Sequence, residues 1–166
     1  MKQNRENPFF ETYRTPFGTP PFDQIKTEQY EPAFDEGIRQ LDKEVRAIAD
    51  NTELPTIENT IVALERSGKL LDKVSSAFFN VLNAEADDEM MDISQRVSPK
   101  LSESSNNIYL NEQLFARVKS VYDQKEELHL PTEDARLLEE TFEAFCVRGA
   151  ALGPEEKEKY RKLSSE

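Results

Sequence analysis

Residues 55–80 read PTIENTIVALERSGKLLDKVSSAFFN, and their spacing decides the fold class. Ile57, Ile61, Leu64, Gly68, Leu71, Ser75, Phe78 and Leu82 follow one another in alternating steps of four and three. That is the period of one helix face, apolar except where it turns small at Gly68 and Ser75. Small residues on a buried face let a neighbouring helix come close. Gly68 is equally able to end one helix and start another, since glycine inside a helix costs about 1 kcal/mol. Thr56 is a candidate N-cap, and Glu58 falls in the first turn, where the helix dipole favours an anion. Glu65 and Lys69 are spaced to pair on the solvated face. The stretch is expected to be one helix, or two stacked helices, facing a bundle core.

Upstream, Phe34, Ile38, Leu41, Val45 and Ile48 trace a second stripe on a helix running to about Asp50, and Asn51 to Pro55 breaks it. Downstream, a helix is expected from about Asp88 to Tyr109, with Met90, Ile93, Val97, Leu101 and Ile108 inward. Pro99 should kink or divide it. Asn111 can cap the next helix, which carries Leu114, Phe115, Val118 and Tyr122. In LHLPTED, Pro131 marks a turn and Thr132 a cap, with Glu133 and Asp134 in the first turn. That helix places Leu138, Phe142, Phe145 and Leu152 on one side and should stop near Gly153. Pro154 then opens a last, mostly charged segment bearing Tyr160 and Leu163. No strand alternation and no internal repeat is visible. The expected fold is all-α, a multi-helix bundle.

Residues 1–26 differ from the rest. They hold Pro8, Pro16, Pro20 and Pro21 together with Phe9, Phe10, Phe17 and Phe22. Closely spaced prolines preclude a helix, and so much aromatic surface suits an arm that docks its rings on this domain or a missing one. The expected organisation is an irregular arm over 1–26 and a helical domain over 27–166.

The chain has 33 acidic and 21 basic residues, for a net charge of −12. Such a field repels phosphate backbones, which argues against nucleic acid as a partner and tolerates basic peptides. No apolar run reaches the length of a signal peptide or a membrane span, so no membrane association is expected and the chain reads as cytoplasmic. Cys146 is the sole cysteine; its apolar helical context, without a local histidine or basic cluster, predicts a buried structural thiol.

Catalytic signals are sparse. His129 is the only histidine, so a zinc site of the H-E-x-x-H type cannot be built. A glycine-rich phosphate loop and a G-x-S-x-G elbow are both lacking. Asp87, Asp88 and Glu89 lack the glycine and alternating oxygen ligands of a calcium loop, and read as a helix N-terminus. No catalytic, cofactor-binding or metal-binding residue is assigned.

Several long blocks nevertheless resemble one family in the right order. These are TPFGTPPFDQIKTEQYEPAFDEGI (15–38), the opening stretch, SPKLSESSNNIYLNEQLFARVKSVY (98–122) and EDARLLEETFEAFCVRGAAL (133–152). Together they resemble the N-terminal region of the thimet-oligopeptidase family of zinc metallopeptidases. The PFGTPPF block favours its peptidyl-dipeptidase branch over the related oligopeptidase A branch. The resemblance implies a large, nearly all-helical enzyme whose two halves flank a deep channel. It implies zinc-dependent release of dipeptides from the C-termini of short peptides. The zinc, its H-E-x-x-H helix and a further glutamate would lie downstream of the matched region. The chain is therefore expected to be a channel-wall piece, about the first quarter of an enzyme, with no zinc and no peptidase activity of its own. Its expected partner is the missing catalytic half, and apolar surface left uncovered predicts self-association. The alternative is a free-standing acidic helical interaction module.

Overall fold

A computed structural model describes residues 7–85 and 87–164. Among them the regular elements are all helical, and the fold is all-α. The helices are α1 (Tyr30–Ala49), α2 (Lys69–Glu85), α3 (Asp88–Tyr109), α4 (Glu112–Asp123), α5 (Thr132–Val147) and α6 (Pro154–Ser164). None among the described residues is long and apolar enough to cross a membrane. The chain divides into two compact units, Met1–Leu41 with Gly68–Leu101, and Asp42–Ser67 with Ser102–Glu166.

The first unit is built on an aromatic core. Phe9, Tyr30, Phe34 and Phe78 are buried together with Leu71, Val74, Ile93 and Val97. Phe78 meets Tyr30 and Phe34 edge-on, with ring centroids 5.1 and 5.3 Å away, the arrangement that aromatic quadrupoles prefer. A close helix approach does occur, not at the Gly68 and Ser75 that the spacing singled out but at Gly37. A β-carbon there would lie 3.0 Å from the Leu71 Cα, so α1 and α2 touch almost backbone to backbone.

The arm joins this core in part. Among its described residues the regular pieces are two 3₁₀ turns, Pro8–Phe10 and Pro16–Gly18. Phe9 is buried against Tyr30, whereas Phe17 and Phe22 are exposed. Asn7 caps the first turn, its Oδ1 accepting from Phe9 N–H (3.1 Å), and ties the arm down through Nδ2, which donates to the Gln29 carbonyl (2.8 Å).

In the second unit Val45 and Ile48 of α1 are buried, as are Leu114, Val118 and Val121 of α4 and Leu138 and Phe145 of α5. Phe142 stacks on Tyr122 at 3.8 Å. Asn111 caps α4, its Oδ1 accepting from Leu114 N–H at 2.9 Å.

Of the two readings of the opening stretch, the one in which Gly68 ends one helix and starts another holds, while several other expectations need correction. The opening stretch is two helical pieces: a π-helical turn, Ile57–Val62, runs into a single α-turn, Ala63–Glu65, and Gly68 then breaks the chain at φ +76° before α2. The expected Glu65–Lys69 pair does not form, because that break lies between them. Pro99 does not divide α3, which continues from Asp88 to Tyr109. Thr132 is the first helical residue of α5 rather than its cap; Pro131 holds the cap position and makes no side-chain cap bond.

Helix α5 also stops at Val147, short of Gly153. Gly149 takes φ +89°, Ala150 N–H donates to the Phe145 carbonyl and Gly149 N–H to the Cys146 carbonyl. These are the two bonds of a Schellman stop. Cys146 is exposed, not buried. One residue past Phe145, it is turned about 100° off the packed face.

Candidate functional site

The residues weighed for chemistry do not assemble. His129 sits exposed in the turn after α4, at φ +45°. Cys146 is exposed near the end of α5. Asp87 serves as a cap for α3, its Oδ1 accepting from Met90 N–H at 2.7 Å. Among the described residues, no group of three or more His, Cys, Asp or Glu could hold a metal ion. The residues present therefore do not fit the zinc that the resemblance implies.

Among the described residues, one polar centre in each unit anchors main chain through a buried or half-buried cation. In the second unit the centre is Arg117, only 7% exposed on α4. Its Nη1 donates to the carbonyls of Asn51 (2.7 Å) and Glu53 (3.0 Å). Its Nη2 donates to Asn59 Oδ1 (3.0 Å) and Thr60 Oγ1 (3.3 Å). Among the described residues no carboxylate lies within ion-pair distance of it, so its partners are neutral dipoles. A buried cation needs its donors so occupied; here both Nη groups are satisfied and Nε alone is buried without a partner among the described residues.

Asn59 is the other half of this centre. Its Oδ1 also accepts from Thr56 N–H (2.9 Å) and the Thr60 hydroxyl (2.9 Å), while its Nδ2 donates to the Leu54 carbonyl (3.0 Å). Thr56 returns the bond, its hydroxyl accepting from Asn59 N–H at 3.1 Å, which closes a capping box. The loop between α1 and the π-turn is thereby fixed from both sides.

In the first unit the arm, α1 and α2 frame an open groove of about 750 Å³ lined by Phe10, Tyr13, Glu36, Gln40, Leu70 and Lys73. Lys73 Nζ donates to the carbonyls of Phe9 (2.9 Å) and Glu11 (2.6 Å) and sits 3.7 Å from the centre of the Tyr13 ring. Burial under the arm pulls its ammonium below the ordinary lysine value. Glu36 accepts from Arg39 at 2.6 and 2.8 Å and from Gln40 at 2.7 Å. The Arg39 hydrogen bonds, then that of Gln40, hold its carboxyl down at about 2. Burial, reinforced by Tyr30, pushes the Tyr13 phenol up to about 12. Its hydroxyl has no partner among the described residues. These groups are tied to one another and to backbone; the arrangement holds main chain in place, with no nucleophile set beside a base.

Arg117, Asn59 and Lys73 carry the polar architecture, and sequence reasoning missed all three. The available signal was positional. Arg117 interrupts the apolar run of Leu114, Val118 and Val121, and Lys73 interrupts that of Leu71 and Val74.

The Arg117 centre joins two of the blocks on which the family resemblance rests, Asn59 and Thr60 from the opening stretch and Arg117 from the 98–122 block. Comparison with known proteins agrees. Over 160 residues, 96% of this chain, it is 43% identical to a dipeptidyl carboxypeptidase of Escherichia coli. It is 41% identical over the same share to a dipeptidyl carboxypeptidase of Salmonella typhimurium. The chain is similar to the dipeptidyl carboxypeptidases. It spans only 24% of the length of either relative. No family model matches it. The dipeptidyl carboxypeptidase likeness thus runs through both polar centres and most of the arm.

Proposed function

We propose that this chain is the N-terminal helical part of a cytoplasmic, zinc-dependent peptidyl-dipeptidase that releases dipeptides from the C-termini of short peptides. Within it, residues 1–26 are an arm and 27–166 a helical domain that forms part of the channel wall. Its task is to restrict entry to unstructured peptides and help position them. The single observation that carries this reading is identity of 41–43% to dipeptidyl carboxypeptidases across 96% of the chain. The metal would be held by the uncovered remainder, since the described residues supply no ligand set. The two polar centres suit a wall, since each immobilises backbone rather than activating a group.

The test compares the full-length gene product with the 166-residue chain on short unblocked peptides, following products by mass spectrometry. The full-length protein should release C-terminal dipeptides and lose that activity to a chelator. The chain alone should release none, with or without added zinc. Activity in the isolated chain, or none in the full-length protein, would overturn the proposal. A reading frame ending at Glu166 would favour an acidic helical interaction module instead.

A further inference from the structure

The tip of the arm carries a residue that its own unit does not use. Phe17 is held at φ +60°, the left-handed region that a β-carbon disfavours. Its ring is fully exposed. The turn around it is closed by Gly18 N–H to the Thr15 carbonyl (3.0 Å) and Thr19 N–H to the Pro16 carbonyl (3.4 Å). The Thr19 hydroxyl donates to Pro16 O at 3.1 Å, and the Thr15 hydroxyl donates to Thr19 O. At the base of the arm Phe9 and Pro21 are buried. A large ring is thus presented to solvent on a locked turn, where glycine would fit the backbone better. Strain of this kind persists where the surroundings enforce it and is concentrated at functional contacts.

We propose that Phe17 is an anchor that enters an apolar pocket on the part of the longer enzyme that this chain does not cover. The inference rests on the proposed function above. Size selects the occupant. One aromatic side chain covers about 150–250 Å², whereas stable association of separate proteins buries about 1,200–2,000 Å². A second copy held by this ring alone would fall far short, and a charge of −12 on each copy adds repulsion. A pocket on the same polypeptide needs no such area, because linkage supplies an effective concentration of roughly millimolar order. The chain spans 24% of relatives of this kind, so most of such an enzyme is available to provide the pocket.

The experiment places Phe17→Gly, Phe17→Ala and Phe17→Leu in both the 166-residue chain and the full-length gene product, and measures thermal unfolding midpoints. In the short chain Phe17→Gly should leave the midpoint unchanged or raise it, since strain is relieved and no contact is lost. In the full-length protein Phe17→Gly and Phe17→Ala should lower it by several degrees, and Phe17→Leu by less. A full-length variant that fails to fold while its short counterpart folds counts as the same loss. Equal shifts in both proteins would overturn the anchor, as would a dimer of the short chain that Phe17→Gly dissolves. Dipeptide release by the full-length protein separates the two ideas. Release without a difference between the proteins sinks only the anchor; a difference without release sinks only the peptidase reading. A reading frame ending at Glu166 sinks both.

Discussion

The guanidinium of Arg117 stands 3.0 Å from the side-chain oxygen of Asn59, and this contact sets how the first turn of the Pro55–Asn80 stretch is held. Arg117→Met keeps the apolar stem but takes the charged donor from the Asn51 and Glu53 carbonyls, while Asn59 Oδ1 retains Thr56 N–H and the Thr60 hydroxyl. Bonds to a charged group and the cost of orphaned buried acceptors predict a loss on the order of 3 kcal/mol. Urea denaturation checks this; a loss below about 1 kcal/mol would show that the loop carbonyls find other donors.

Lys73 should matter locally. Lys73→Met removes both bonds to the arm and the contact with the Tyr13 ring. Limited proteolysis should cut within residues 9–14 much faster than in the wild type, while far-ultraviolet circular dichroism stays unchanged. Equal cutting rates would mean that Phe9 and Asn7 alone hold the arm.

Gly37 tests the close approach of α1 and α2. Alanine is the better helix former by about 1 kcal/mol. Its β-carbon, however, would meet the Leu71 backbone at 3.0 Å. Overpacking of this kind costs about 1–3 kcal/mol, so Gly37→Ala should lower the urea midpoint despite its propensity.

Glu36 gives a pH signature. Its carboxyl is held at about 2, below the ordinary 4.5. Its stabilising contribution is therefore complete above pH 4.5 and is lost as pH falls toward 2. Glu36→Gln should flatten the fall in stability over that window, by a modest amount because solvent screens a partly exposed pair. Carbon-detected NMR should place the Glu36 titration near the lower value.

The exposed Cys146 should react with a thiol reagent stoichiometrically in the native protein, without denaturant. A thiol that reacts only in denaturant would restore the buried assignment.

The repeat of four and three made the helices legible, and short polar residues made several caps legible. Phe34, Val45, Ile61, Phe78, Leu114 and Leu138 are all buried as their spacing requires. Caps at Thr56 and Asn111 were readable because a short oxygen-bearing side chain before an apolar run has few other uses. Thr132 misled because Pro131 already occupied the cap position. Cys146 misled because its apolar neighbours say nothing of its own face, which lies about 100° from that of Phe145, and the helix end misled because no periodicity reveals the positive φ of Gly149. Arg117 and Lys73 were invisible for another reason: a long cation looks solvated in sequence, and its acceptors are distant backbone carbonyls that carry no residue signature. The candidate site is polar scaffolding of that sort, so pattern alone could not find it.

The π-turn at Ile57–Val62 has a genetic consequence. Ala63 N–H reaches back to the Glu58 carbonyl, five residues away, so this turn holds one more residue than an α-turn over the same path. Removing a single codon here would restore ordinary helical pairing. It would also swing neighbouring side chains by about 100° around the axis, turning Asn59 and Thr60 away from Arg117. An in-frame deletion of one amino acid would thus break the Arg117 contacts while leaving every residue that makes them in the sequence.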